Sequence, residues 1–128
     1  GIPLKLVVPD CTLVILDSVQ KKTHAIQEFS DALSLADSSV VCARVEDYAF
    51  LAGRPSYDII VSRAVALEER YLAPLRRLLK PSGMLVFYKS QKLNDIENLK
   101  HEILLEKTDA DLGLRRIVAI KQRDLMMR

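Results

Sequence analysis

One apolar, β-branched stretch, residues 57–64, constrains the fold of this chain more than any other part of the sequence. A short apolar run of this kind is typical of a strand that is buried on both faces, as the strands of parallel sheets are. The run stops at a hydroxyl and a guanidinium, those of Ser62 and Arg63. Because ligands of open α/β sheets bind just beyond the carboxyl ends of the strands, the stretch predicts a binding edge that includes both residues. The alternative is that Arg63 only ends the strand and pairs with a neighbouring carboxylate.

The rest of the sequence alternates between extended and helical patterns. Apolar runs predict further strands at 12–16, 39–43, 84–88, 104–111 and 115–121. Helical spacing of apolar residues predicts helices at 1–8, 19–33, 67–79 and 94–103, a short helical turn up to residue 51, and a turn at 81–83. Asp17 or Ser18 is expected to cap the helix at 19–33, and Asn94 with Glu97 to cap the helix at 94–103. Pro74 is expected to kink the helix at 67–79. The order predicts βαβ units and a mostly parallel sheet with an antiparallel C-terminal edge.

Composition narrows the class of protein. The 128 residues, 49% of them hydrophobic, predict one globular domain that buries about two thirds of its unfolded surface. A net charge of +2 does not by itself indicate a nucleic-acid-binding protein. Basic residues nevertheless crowd the C-terminal end against a single acid, Asp124; they are Arg115, Arg116, Lys121, Arg123 and Arg128. No apolar run of 18 residues and no signal peptide is visible, so we expect no membrane association.

Cysteine and histidine usage argues against metal binding. Cys11 and Cys42 do not form a C-x-x-C motif, which favours a reduced, cytoplasmic protein. His24 and His101 lie in helical patterns without a nearby cysteine or a cluster of carboxylates. We therefore expect both histidines to be solvated helix residues and the protein to bind no metal.

Polar residues follow four consecutive predicted strands. They are Asp17-Ser18, Arg44-Val45-Glu46, Ser62-Arg63 and Lys89-Ser90. Because parallel strands end at the same edge of a sheet, we expect these groups to converge, with Asp17, Glu46 and Arg63 around a shared cavity. A carboxylate accepts hydrogen bonds from both hydroxyls of a ribose, so the acids favour a nucleotide or an adenosyl group. The alternative for Asp17 is a helix cap without any ligand.

The motifs in this order resemble a known family. They are Gly-Ile-Pro-Leu at 1–4, Leu-Asp-Ser at 16–18 with Lys-Lys at 21–22, Arg-Val-Glu-Asp at 44–47, Val-Ser-Arg-Ala at 61–64, Leu-Lys-Pro-Ser-Gly at 79–83, and Lys89. Over essentially its whole length the chain is similar to the glucose-inhibited division protein B family of bacterial methyltransferases. The resemblance implies a Rossmann-like class I methyltransferase fold. It also implies methyl transfer from S-adenosyl-L-methionine to guanine N7 of small-subunit ribosomal RNA.

Residue by residue, the resemblance also implies a cofactor site. Asp17, with Ser18, would face the ribose of S-adenosyl-L-methionine, and Val45 and Glu46 would frame the adenine. Arg63 would line the pocket near the methionine end, where a guanidinium can grip a carboxylate through two hydrogen bonds.

On the RNA side, the resemblance implies contacts from Lys89 and Ser62, although Lys89 is equally well explained as a solvated lysine at a strand end. No catalytic residue is assigned, because the lone pair of guanine N7 is accessible without a general base. The absence of a poised nucleophile or paired carboxylates argues against a hydrolase. We expect a cytoplasmic protein, monomeric rather than oligomeric, with ribosomal RNA of the small subunit as its partner.

The sequence departs from the family at its start. The glycine-rich loop of the family, and the strand before it, would precede Gly1. In this fold that strand lies between the strands at 12–16 and 57–64, so both are expected to have unpaired edges. We therefore expect residues 1–128 to be a methyltransferase domain without its N-terminal part, or a rebuilt sheet. Two alternatives stay open, namely a dinucleotide-binding oxidoreductase domain and an inactive methyltransferase-like module that binds RNA or acts as a scaffold.

Overall fold

The computed structural model of the protein describes residues 2–63, 67–89, 94–111 and 113–126. The helices are α1 (Ile2–Val7), α2 (Gln20–Ala32), α3 (Val45–Ala52) and α4 (Glu69–Leu78), with 3₁₀ turns at Asn94–Ile96 and Gln122–Asp124. The strands are β1 (Leu13–Asp17), β2 (Ser38–Cys42), β3 (Tyr57–Arg63), β4 (Leu79–Lys89), β5 (Glu102–Asp109) and β6 (Gly113–Lys121). The chain divides into two compact units between Tyr48 and Ala49, and each is described in turn.

The first unit is built on a βαβ motif. β1 and β2 pair in parallel, from Leu13 opposite Ser38 to Asp17 opposite Cys42. The connecting helix α2 packs against both strands. Its buried residues Thr23 and Ser30 lie two turns apart and therefore on one face, and the Ser30 hydroxyl lies 3.2 Å from that of Ser38. The predicted parallel pairing across a helix is confirmed.

A buried lysine ties α1 to the start of this motif. Lys5 is only 3% exposed, and its ammonium donates hydrogen bonds to the carbonyl oxygens of Pro9, at 2.7 Å, and of Cys11. The last carbonyls of a helix and of the turn after it have no partner within the helix, so a cation placed there satisfies them. The helix expected at the start of the chain is confirmed.

The second unit is a four-stranded sheet in the order β3-β4-β6-β5. β3 and β4 are parallel and are connected through α4, whereas β6 pairs antiparallel with both β4 and β5. α4 is continuous through Pro74 and buries Leu72, Leu75 and Leu78, one residue per turn. The antiparallel C-terminal edge is confirmed, and β6 rather than β5 lies next to the parallel pair.

The core of the second unit comes from alternate residues of β4, from the last turns of α4 and from three consecutive residues near the end of β6. Its buried side chains include Leu79, Leu85, Phe87, Ile96, Val118, Ile120 and Leu125. A period of two places one face of a strand inward, and Leu85 and Phe87 follow this rule in β4.

The prediction that the strand at 57–64 is buried on both faces is wrong. Ile59 and Val61 lie on the same face of β3 and are 56% and 44% exposed. Within the described ranges β3 pairs with β4 alone and β1 with β2 alone, which confirms the unpaired edge expected for each. A strand with one neighbour lacks the side chains that a second neighbour would lay against its apolar face.

The helix predicted at 94–103 is also wrong. A 3₁₀ turn at Asn94–Ile96 takes its place, and β5 begins at Glu102. Ile96 and Leu99 are buried as expected, but Ile103 is exposed and pairs with Val118 in the β5–β6 ladder. The helical spacing of the three apolar residues is real, yet the ladder with β6 satisfies the backbone after residue 101 instead.

The turn predicted at 81–83 is an irregularity inside β4. Tyr57 pairs with Leu79 and Ile59 pairs with Met84, so β4 takes five residues where β3 takes two. A β-carbon on Gly83 would lie 2.8 Å from the carbonyl oxygen of Asp58 and 3.0 Å from that of Lys80. Only glycine fits this close approach of backbone to backbone.

Replacing Gly83 with alanine should therefore destabilise the protein by roughly 1–3 kcal/mol, since the neighbouring backbone carbonyls would have to shift. Equilibrium urea unfolding measures the effect, with the exposed neighbour substitution Ser82→Ala as the matched control. Equal unfolding midpoints for the two variants would contradict the described packing.

Candidate functional site

The first unit brings two of the predicted acidic segments to one edge. Because β1 and β2 run in the same direction with Asp17 opposite Cys42, the residues after both strands lie together. The Ala43 N–H donates to the Asp17 carbonyl at 3.0 Å, and the Cys42 thiol lies 3.8 Å from the Ser18 carbonyl oxygen. The predicted convergence of Asp17-Ser18 with the segment after β2 is present within this unit.

The carboxylate of Asp17 is held in place locally. Its Oδ1 accepts a hydrogen bond of 2.8 Å from the Val19 N–H. Val19 occupies the N-cap of α2 and no side chain caps the helix, so the prediction of Asp17 or Ser18 as N-cap is wrong. The bond reaches two residues along the chain and closes a local turn, which competes with capping further into the helix. It fixes the direction in which the carboxylate points.

The second acidic segment starts α3. The Arg44 carbonyl accepts the Tyr48 N–H at 3.0 Å, which begins the helix directly after β2. Glu46 is half-buried in the first turn and Asp47 is exposed. Acids in a first turn complement the helix dipole, and this local role is compatible with a role toward a ligand.

These two segments fit an adenosyl group. A carboxylate has about four acceptor positions, so Asp17 retains capacity for ribose hydroxyls after it accepts the Val19 N–H. Val45 and Glu46 follow the neighbouring strand and so lie at the same edge. A nucleoside needs hydrogen-bond acceptors for its ribose and a partly buried surface beside them for its base. This edge has both.

The second unit has its own carboxyl edge. β3 and β4 are parallel, with Ser62 opposite Phe87 and Arg63 opposite Tyr88. This edge is therefore shared by Ser62, Arg63 and Lys89. Ser62 is half-buried, and Arg63 is placed here by its backbone. Ser90 lies outside the described residues. The predicted meeting of Asp17 and Glu46 with Arg63 stays a prediction.

Lys89 is paired within the protein. Its side chain is 10% exposed, its ammonium forms an ion pair with Asp95, and it lies 5.4 Å from the centre of the Phe87 ring. Asp95 also accepts the Leu67 N–H at 2.6 Å. One carboxylate thus fixes the end of β4 to the segment between β3 and α4. Lys89 as an RNA contact stays a prediction.

Sequence reasoning did not find Asp95. It lies in a segment that has the pattern of a helix start. An acid six residues after a lysine at a strand end is not a recognisable signal for an ion pair. Burial opposes ionisation of Asp95, but the Leu67 N–H and the hydrogen bond and charge of Lys89 outweigh it. The pKa of Asp95 is therefore lower than its ordinary value of 3.8.

This lowered pKa predicts an acid-sensitive contribution to stability. Because the folded state holds fewer protons than the unfolded state, the contribution is present above pH 3.8 and is lost as the pH falls through the folded pKa. In Asp95→Asn the free energy of unfolding should be lower at neutral pH and should change less below about pH 4. Urea unfolding at a series of pH values measures this, with the exposed substitution Asp10→Asn as control. Parallel curves for wild type and Asp95→Asn would contradict the described pairing.

Comparison with solved structures identifies the fold. The fold is similar to that of a precorrin-6y C5,15-methyltransferase from Geobacter metallireducens, with a TM-score of 0.63, 16% identity, and coverage of 88% of this chain and 69% of that one. It is also similar to an rRNA methylase from Streptococcus thermophilus, with a TM-score of 0.60, 8% identity, and coverage of 84% and 72%. At these identities the likeness shows the fold alone, which is that of the Rossmann-like class I methyltransferases, as predicted.

The chain belongs to the rRNA small subunit methyltransferase G family, GidB, whose family model matches residues 1–123. This confirms the resemblance to the glucose-inhibited division protein B family and places the chain with methyltransferases rather than with oxidoreductases.

The chain is also similar to proteins named ribosomal RNA small subunit methyltransferase G, in agreement with the family match. The protein of Acetivibrio thermocellus is 36% identical over 78% of this chain and 42% of its own length. That of Nitrosococcus oceani is 41% identical over 71% of this chain and 41% of its own. That of Helicobacter pylori J99 is 29% identical over 97% of this chain and 65% of its own. The chain thus spans less than two thirds of the length of these relatives.

Two further observations concern metal ligands and membrane-spanning helices. Among the described residues no group of three or more histidine, cysteine, aspartate or glutamate side chains is arranged to hold a metal ion. In the same ranges no helix has the length and apolar character needed to cross a bilayer.

Proposed function

We propose that this protein is an S-adenosyl-L-methionine-dependent methyltransferase that methylates guanine N7 of small-subunit ribosomal RNA. The match of residues 1–123 to the rRNA small subunit methyltransferase G family is the observation that carries the proposal. The acidic edge of the first unit supports it, since that edge offers the acceptors that an adenosyl group needs. Cys11 and Cys42 are both free thiols, which fits a reducing compartment such as the cytoplasm.

The residues at the first edge would hold the nucleoside part of the cofactor. Asp17, oriented by the Val19 N–H, accepts the ribose hydroxyls together with Ser18, and Val45 and Glu46 frame the adenine. Arg63 retains its predicted role, in which a guanidinium grips the methionine carboxylate through two hydrogen bonds.

The reaction needs positioning more than acid–base chemistry. When held by Asp17, Ser18, Val45 and Glu46, S-adenosyl-L-methionine would supply an electrophilic methyl group for the accessible lone pair of guanine N7. No proton has to leave N7 first, so no general base is required of the chain. Correct orientation of two reactants can contribute roughly 7–11 kcal/mol, and this is the work left to the protein.

The edge of the second unit would face the RNA. Ser62 and Lys89 lie at the carboxyl ends of β3 and β4, where ligands of such sheets bind. Asp95 holds the ammonium of Lys89 at a fixed position, so that Lys89 contacts RNA from a preset geometry rather than as a free surface cation.

Asp17→Asn should weaken cofactor binding about tenfold or more, because an amide replaces one anionic acceptor oxygen with a donor. Calorimetric titration of the full-length protein with S-adenosylhomocysteine measures this. Asp31→Asn is the matched control and should bind as the wild type does, since Asp31 lies at the far end of α2 and its carboxylate accepts a hydrogen bond from Gln27. Equal affinities for wild type and Asp17→Asn would remove Asp17 from the site.

The activity itself is tested with full-length protein, methyl-labelled S-adenosyl-L-methionine and small-subunit ribosomal RNA. Label should enter the RNA, and the RNA should become cleavable at N7-methylguanine by borohydride and aniline. Binding of RNA with no transfer and no binding of S-adenosylhomocysteine would overturn the proposal in favour of an inactive RNA-binding module.

A further inference from the structure

A basic groove lies in the second unit at the end of the sheet opposite Ser62 and Lys89. It is formed by the turn before β3, the outer side of α4 and the turn after β6. Its volume is about 410 Å³, and its lining residues are Gly53, Arg54, Pro55, Ala73, Arg76, Arg77 and Gln122. Three of them carry a positive charge and none carries a negative one.

The amphipathic pattern of α4 puts two of these charges on its outer side. Leu72, Leu75 and Leu78 face the core, so the residues between them face away from it. Ala73 lies one turn before Arg76 and Arg77, and its methyl side chain leaves the space above it open. The helix therefore presents two guanidiniums beside a gap rather than a filled surface.

The structure fixes these arginines instead of leaving them free in solvent. Nη1 of Arg76 donates to the carbonyl of Leu125 at 3.3 Å, and Nε2 of Gln122 donates to the carbonyl of Arg76 at 3.2 Å. The guanidinium of Arg77 lies 5.9 Å from the centre of the Phe50 ring, within the range of a cation–π contact. A positioned guanidinium loses less conformational entropy when it binds a ligand.

Their positive charge is uncompensated. In the described part of the chain, none of Arg54, Arg76 and Arg77 forms an ion pair with a carboxylate. Elsewhere in the same unit cations do have such partners, as Lys80 has in Asp58. Like charges around one groove repel each other, and a bound anion relieves this repulsion. The planar guanidinium matches phosphate through two parallel hydrogen bonds.

We propose that this groove binds backbone phosphates of the RNA substrate, at nucleotides some distance from the one that is methylated. The inference rests on the proposed function, which supplies the RNA. The groove adjoins the start of β3, and the seven residues of that strand put it about 20 Å from Ser62 and Arg63. Most of its lining residues are exposed, so it is open along its length and accommodates a polymer.

The test compares the full-length wild type with the variant Arg54→Gln/Arg76→Gln/Arg77→Gln. A fluorescently labelled transcript of small-subunit ribosomal RNA is the probe, and its binding is measured at several salt concentrations. Affinity falls as salt rises, and the slope of log affinity against log salt should become shallower by about 2 in this variant. Each lost phosphate contact removes about 0.7–0.9 from the size of the slope. Affinity at low salt should fall by at least tenfold.

Two further variants make the result specific. Lys100→Gln/Lys107→Gln/Arg115→Gln removes the same number of positive charges, all of them exposed, from the segment before β5 and the β5–β6 hairpin, and should change the slope less. Arg54→Gln/Arg77→Gln keeps the bond between Arg76 and Leu125 but removes the contact of Arg77 with Phe50, so its urea unfolding is measured as well, and a loss of binding with an unchanged unfolding midpoint is not a folding effect. Equal slopes for the groove variant and the charge-matched variant would overturn the proposal and indicate general electrostatic attraction only.

Titration with S-adenosylhomocysteine separates this proposal from the proposed function. The groove variants should bind it as the wild type does. If the wild type binds RNA through the groove but does not bind S-adenosylhomocysteine, the groove stands and the methyltransferase function falls. If the groove variants transfer methyl groups and bind RNA with an unchanged salt slope, the function stands and the groove falls.

Discussion

The rest of the structure depends on the parallel pairing of β1 with β2 and of β3 with β4. Two parallel strands cannot be joined by a tight turn, so each pair needs a helix to bring the chain back to its starting edge. In return, the residues that follow the strands of a pair lie at one edge. Asp17 thereby comes together with Glu46, and Ser62 with Lys89, although each pair is distant along the chain. The polar ends of the paired strands lie at one edge only because of this shared direction.

The structure treats the cations of its second unit in two ways. Lys89 is nearly buried, and Asp95 compensates its charge while also accepting the Leu67 N–H. A buried ammonium without any hydrogen-bond acceptor would be strongly unfavourable, and at the end of β4 Asp95 is that acceptor. The arginines of the groove are exposed or half-buried and have no carboxylate beside them in the described residues. The pairing of Lys89 fixes the end of β4, whereas the guanidiniums of the groove keep their full positive charge for an anionic partner.

Local sequence patterns predicted most elements, and their failures have a common cause. The strands were found because β-branched runs and turn residues are short-range signals, and the C-terminal hairpin was found in the same way. The helix predicted at 94–103 did not form, and β5 begins within its last residues, because β6 offers a ladder that spacing within one segment does not reveal. Ile59 and Val61 have the pattern of a strand covered on both faces, yet they are exposed. A local pattern predicts that a segment forms a strand, but not which strands or helices pack against it.

The sequence by itself determined the class of fold, the family and the set of polar strand ends, because all three depend on residue type and order along the chain. Only the tertiary structure decided which of these residues lie together. It showed that the Asp17 carbonyl accepts the Ala43 N–H, that Asp95 joins Lys89 to the Leu67 N–H, and that Arg54 shares a groove with α4. These contacts join residues whose relation depends on strand direction, register and helix packing. Such relations arise only when distant segments meet, so no local pattern contains them.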